Sequence, residues 1–219
     1  MNTTLLLSTT YFGPVQWYQK LYRAQRVEIE QWESFQKQTY RNRCVIATAN
    51  GLQALTVPIE RHTVAAGTPS PGPDSSHNDA DTAITIRDIR ISDHGNWRHL
   101  HWQALASAYG DSPFFEYYQD DLRPFFERRW TFLFDFNEAI RHTLCQLLDI
   151  QPNVALTQAY APHAQGDYRQ AISPKHQQPD PDFTPRPYYQ VYQQRHGFQP
   201  NLSVLDLLFN MGPEAILWL

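Results

Sequence analysis

Residues 5–30 read LLLSTTYFGPVQWYQKLYRAQRVEIE, and this stretch sets the fold class. Leu5 to Ser8 is a short apolar run. Gly13-Pro14 then breaks the chain, and proline suits the first turn of a helix because the N–H it lacks would find no partner there. Val15, Tyr18, Leu21 and Tyr22 recur at helical spacing. Arg26-Val27-Glu28-Ile29-Glu30 alternates polar and apolar residues, as a half-buried strand does. The reading is strand, helix, strand, with the two strands parallel.

Further along, Cys44 to Ala49 and Leu52 to Val57 flank Asn50-Gly51. Asn-Gly tolerates the positive φ angles of a type I′ turn, so the spacing predicts a β-hairpin. Pro58 ends the second strand or puts it at an edge. Residues 62–83 carry several prolines and glycines among Asp, Ser and Asn, and read as an inserted surface loop. Ile84 to Ile91 reads as one more strand. The second half is helical. Trp97, Leu100, Ala104 and Ala108 share a face, and Ser112-Pro113 starts a helix lined by Phe114, Tyr117, Tyr118 and Leu122 that Pro124 interrupts. Asp135 with Glu138 resembles a capping box ahead of Phe136, Ile140 and Leu144. Val154 to Ala159 reads as a strand, and residues 173–187 as a second loop insertion. Ser203 to Asp206 resembles another capping box, and Gly212-Pro213 stops its helix. The expected architecture is one α/β domain over 1–219, with mixed α+β as the variant: a βαβ unit and a hairpin, then a mainly helical half.

Composition narrows the function. Of 219 residues, 18 are Lys or Arg and 22 are Asp or Glu, for a net charge of −4. Without an overall positive field, general nucleic-acid binding is not expected. No apolar run approaches the roughly 20 residues that span a bilayer, and Leu5-Leu6-Leu7 is too short for a signal-peptide core, so the reading is cytoplasmic. Cys44 and Cys145 lie in apolar patterns and read as buried thiols. Neither a Cys/His zinc framework nor a dinucleotide or P-loop fingerprint is present, so no metal and no cofactor is assigned. His99 and His101 would point about 200° apart on a helix, which prevents joint chelation.

The densest polar cluster is Lys37 to Arg43, which holds three cations, two amides and two hydroxyls ahead of the hairpin. It could clamp a phosphate or carboxylate, or it could be a solvated connection. Gly13-Pro14, between strand and helix, could present helix N–H groups to an anion or be a plain turn. Gly166 to Arg169 and Arg195 to Gly197 are polar and loop-like, facing a pocket or merely the surface. His101 could serve as a general base or pack in the core.

Three stretches resemble the WbqC-like family of bacterial proteins: Tyr11-Phe12-Gly13-Pro14 with Tyr18 and Leu21; Phe35, Lys37, Tyr40, Asn42 and Arg43 followed by the hairpin and Val57-Pro58; and Phe198 to Gly212, which contains Pro200-Asn201-Leu202-Ser203 and Asp206. Thr9-Thr10 stand where many members have Gln-Pro. The resemblance implies a setting in lipopolysaccharide O-antigen and other surface-polysaccharide biosynthesis. It singles out His101 and Lys37 as catalytic candidates, and Tyr11, Tyr40, Asn42, Arg43, Asn201 and Asp206 as substrate-binding ones. The expected partner is a small anionic or sugar-nucleotide ligand, and the expected reaction is acyl or aminoacyl transfer to a nucleotide-activated amino sugar. In that scheme Lys37 and Arg43 hold the diphosphate, Asn42 orients a hydroxyl and His101 is the base. Two other readings remain open. One is a non-catalytic binding or assembly protein using Trp17, Trp32, Trp97, Trp102 and Trp130. The other is a hydrolase or transferase that uses Cys44.

Overall fold

The computed structural model describes residues 4–60, 84–162, 164–175 and 180–219. β1 (Thr4–Ser8), α1 (Val15–Arg23) and β2 (Arg26–Glu30) form the expected unit. β1 pairs parallel with β2, Leu5 opposite Val27 and Leu7 opposite Ile29. β5 (Val154–Leu156), shorter than the expected run to Ala159, extends the sheet beyond β2, again parallel. On the other side of β1 a short segment takes up the free edge: Leu6 N–H donates to the Gly166 carbonyl at 3.0 Å, and Tyr168 N–H to the Leu6 carbonyl at 2.9 Å.

β3 (Arg43–Thr48) and β4 (Gly51–Thr56) make the hairpin as a separate antiparallel pair. Its turn differs from the expected one. Thr48 pairs with Gly51, so the tip is Ala49-Asn50. Positive φ falls at Gly51 (105°) and not at Asn50. This is the pattern of a type I turn followed by a left-handed glycine, which a type I′ turn does not share. The Thr48 hydroxyl holds the tip by donating to the Gly51 carbonyl at 2.8 Å.

The helical half comprises α2 (Trp97–Tyr109), α3 (Phe115–Leu122), α4 (Pro124–Glu127), α5 (Leu133–Leu147), α6 (Gln193–His196) and α7 (Val204–Met211), with a 3₁₀ turn from Gly212 to Trp218. Pro124 separates α3 from α4 as expected. Four local expectations are corrected. Ile84 to Ile91 is not a strand: isolated bridges join Thr85 to Ser34 and Ile91 to Ile59 around a 3₁₀ turn at Ile86–Asp88, where Asp88 accepts from the Thr85 hydroxyl. On α2, Leu100 is 62% exposed while His101 and Leu105 are buried. On α3, Tyr117 is exposed and Phe115 takes its place inside. α5 starts at Leu133, so Asp135 lies in its first turn and not at its cap.

The N-terminal and C-terminal motifs are bound to each other. Val15 N–H donates to the Leu202 carbonyl, and Gln16 N–H to Asn201 Oδ1, both at 2.9 Å. These fill the first free N–H groups of α1. In return Val204 N–H donates to the Gly13 carbonyl, and the Ser203 hydroxyl to the Phe12 carbonyl at 2.8 Å. Ser203 also caps α7, accepting from Leu205 N–H. One hydrophobic cluster runs from Leu7 on β1 through Leu21 on α1 to Ile140 on α5 and Leu208 on α7. The expected insertion at 62–83 lies outside the described residues, as do 176–179 of the second.

Candidate functional site

Five of the sequence-selected residues meet at the base of the hairpin. The Tyr11 hydroxyl and His101 Nδ1 are 2.8 Å apart, and the Thr56 main chain also hydrogen-bonds the ring. Burial lowers the His101 pKa to about 4, so the ring is neutral with one N–H. A carbonyl needs that N–H, so it goes to Thr56 and Nδ1 accepts from Tyr11. Both ring nitrogens are thereby engaged within the fold. Asn42 Nδ2 donates to the Val57 carbonyl at 2.9 Å, and Arg43 Nε to the Thr56 hydroxyl at 2.9 Å. The Tyr40 carbonyl accepts from Tyr11 N–H, and burial pushes the Tyr40 phenol up to about 12.

The other three are elsewhere. Lys37 is exposed on the connection before β3. Asn201, at φ 54°, clasps Gln16 through both ends of its amide. Those contacts occupy the start of α1, so Gly13-Pro14 acts as a structural turn. Asp206 is buried on α7, where it accepts from the hydroxyls of Tyr109 (3.0 Å) and Tyr188 (2.7 Å) and from Gln190 Nε2 (2.8 Å). Burial raises its pKa to about 6, against the pull of those three donors.

The carboxyl end of the parallel sheet holds a second polar centre that the sequence reading did not select. Ser8, Glu30 and Thr157 lie where β1, β2 and β5 end or have just ended. The buried Arg41 gives Nε to Glu33 Oε1 at 2.8 Å and Nη2 to Glu33 Oε2 and to the Ser8 hydroxyl. Arg169 gives Nε and Nη2 to Asp167 and faces the buried Glu30 at 3.5 Å. Phe12, four residues past Ser8, is held at φ 42°, an uncommon conformation for a bulky residue. A cavity of about 10 Å³ lies here, lined by residues that include Thr9, Thr10, Tyr40, Arg41 and Arg169.

Beyond Tyr168, which also lines that cavity, a cleft of about 630 Å³ opens between α1 and the segment after Gly166. Gln19, Lys20, Arg23, Gln25, Tyr168 and Asp182 are among its walls. Lys20 is buried, donates to Asp180 at 2.8 Å, and stands 4.6 Å from the Tyr168 ring centre. Burial would raise the Asp180 carboxyl, but hydrogen bonds from Lys20 and Gln16 outweigh it and hold the pKa below the usual range. Gln19 is 4% exposed, and its Oε1 has no partner among the described residues. The cleft matches the size of ordinary small-molecule sites.

The signal for these residues was present but diffuse. Gly166 to Arg169 was already a polar stretch, and Arg41 belongs to the Lys37–Arg43 cluster. Gln19 and Lys20 look like the solvent face of a helix, and only the covering segment buries them. Among the described residues, no group of three or more His, Cys, Asp or Glu could hold a metal, and no helix is long and apolar enough to cross a membrane.

The model of the WbqC-like protein family matches residues 9–68, 76–179 and 175–217. The chain is 27% identical over 207 residues to the uncharacterized protein Rv1507c of Mycobacterium tuberculosis (strain ATCC 25618 / H37Rv), covering 83% of this chain and 81% of that one. No solved structure matches.

Proposed function

The chain belongs to the WbqC-like protein family, and we propose that it binds a nucleotide-activated amino sugar in the cleft beside α1. In this reading it transfers an acyl or aminoacyl group to that sugar during bacterial surface-polysaccharide biosynthesis. The observation that carries the reading is the cleft itself: about 630 Å³, walled in part by Gln19, Lys20, Arg23 and Tyr168. Arg23 and Lys20 supply positive charge on the same wall, with the Lys20 charge shared with Asp180. The Tyr168 ring offers a face for stacking. Binding is assigned to this cleft and not to the hairpin base because His101, Asn42 and Arg43 already spend polar atoms on Tyr11, Thr56 and Val57.

Isothermal titration with UDP- and dTDP-linked amino sugars tests the proposal. Binding by the wild type is expected, weakened about tenfold in Arg23→Ala, equivalent to roughly 1.4 kcal/mol. Absence of binding, or binding indifferent to that substitution, refutes it. The two other readings gain no support. Trp17 and Trp97 are buried, and Trp32, Trp102 and Trp130 are half-buried. Burial drives the Cys44 thiol well above its ordinary pKa, away from a nucleophilic thiolate.

A further inference from the structure

The charges around the cleft beside α1 fall into two groups. Lys20 and Asp180 neutralise each other at 2.8 Å. That leaves Arg23 and Asp182, one charge of each sign, and the remaining walls are uncharged. Arg23 comes from the last turn of α1, and Asp182 from the covering segment, so the two stand on the two walls. Both residues are exposed, and neither has an ion-pair partner among the described residues.

Asp182 is held in place by the fold. Its N–H donates to Asp180 Oδ1 at 3.1 Å, and Asp180 is itself fixed from α1 by Lys20 and Gln16, at 2.8 Å each. Phe183 N–H closes the turn onto the Asp180 carbonyl, and its ring packs against the core. The Asp182 carboxylate meets the Tyr168 hydroxyl at 3.5 Å, the outer limit of a hydrogen bond. An ionised carboxylate accepts at about four lone-pair positions, so most of its capacity is unspent.

A ligand that satisfies both walls carries an anion and a cation. In a nucleotide-activated amino sugar the diphosphate is the anion, and the protonated amine is the cation. A charge-assisted bond from that ammonium to a carboxylate is about twice as strong as a neutral one. An N-acyl group removes the charge and sets a carbonyl oxygen close to a group that only accepts.

We infer that Asp182 receives the free ammonium group of the sugar, so that the cleft selects the unacylated amine over its N-acylated form, while Arg23 holds the diphosphate. The inference rests on the nucleotide-sugar reading and adds the residue that reads the nitrogen. An acceptor that enters as an amine and leaves as an amide loses the charge that held it, so product binds more weakly than substrate.

Calorimetry with two matched pairs tests the assignment. One pair is UDP-glucosamine and UDP-N-acetylglucosamine. The other is dTDP-4-amino-4,6-dideoxyglucose and its N-acetyl derivative, in which the nitrogen sits on a different ring carbon. In at least one pair the free amine should bind at least about tenfold tighter than the amide. Asp182→Asn keeps the shape and removes the charge, and at an exposed position it should melt with the wild type. It should erase the preference by weakening the amine and leaving the amide unchanged. Arg23→Ala should weaken both members of the pair alike and keep their ratio. If neither pair shows a preference for the amine, or if the preference survives Asp182→Asn, the role of Asp182 is refuted, and binding that Arg23→Ala weakens leaves the cleft reading standing. If Asp182→Asn erases the preference and Arg23→Ala changes nothing, the diphosphate assignment fails and Asp182 stands. No binding by any of the four sugars refutes both.

Discussion

His101 and Asp206 should give this protein two opposed pH dependences that nearly cancel. Burial raises the Asp206 pKa from 3.8 to about 6. The folded state therefore holds a proton that the unfolded chain has released. The stability this contributes is present in acid and is lost as pH rises through about 6. Burial lowers the His101 pKa from 6.5 to about 4. Here the unfolded chain takes the proton first. The stability is present above pH 6.5 and is lost as pH falls toward about 4. Each full shift is worth about 3 kcal/mol at 1.36 kcal/mol per pKa unit. Integrated between pH 7 and 4.5, Asp206 adds about 2 kcal/mol on acidification and His101 removes about 2. Urea denaturation of Asp206→Asn and His101→Gln at those two pH values separates them. Asp206→Asn should lose about 2 kcal/mol more than the wild type on acidification, and His101→Gln should gain about 2 relative to it. The cost of each substitution itself cancels, because each variant is compared with itself across pH. Equal pH dependence in both variants, within about 0.5 kcal/mol, would refute the assignment of these groups as buried and neutral-seeking.

Three further outcomes are expected. Glu33→Ala strands the buried Arg41 guanidinium and should lower the unfolding free energy by about 3–5 kcal/mol in urea titrations. Gly13→Ala would set its Cβ 2.4 Å from the Thr10 hydroxyl oxygen, and the forced shift should cost about 1–3 kcal/mol, read as a lower Tm. Asn201→Ala removes both contacts to Gln16 and puts a side chain that disfavours φ 54° at that position. It should cost about 1–2 kcal/mol, with Asn201→Gly costing less because glycine accepts that backbone.

Much of the fold was legible because its signals are local. The parallel unit at residues 5–30, the hairpin, the break at Pro124 and the Ser203 cap each follow from neighbours within one turn or one pleat. Where the reading failed, a distant partner overrode the local pattern. The α2 pattern favours Leu100 inside, yet His101 goes in because the Tyr11 hydroxyl and the Thr56 carbonyl satisfy its two nitrogens. The Asn50-Gly51 pair announced a turn, but which residue carries positive φ was set by the strand register, which pairs Thr48 with Gly51.

For the candidate site the balance is different. Motifs along the chain mark Tyr11, Tyr40, Asn42, Arg43 and His101 as candidates, and Pro200-Asn201-Leu202-Ser203 as a signature of the family. The sequence by itself could not say that Asn201 and Leu202 cap a helix near the other end of the chain. Nor could it say that Arg41 pairs with Glu33, or that Arg169 meets Glu30 across 139 positions. A charged side chain stays in water unless a partner is delivered to it, and delivery is a property of the folded chain alone. Spacing therefore placed the strands and helices, while the tertiary structure decided which polar groups are buried, which are spent on the fold, and which still lack a partner.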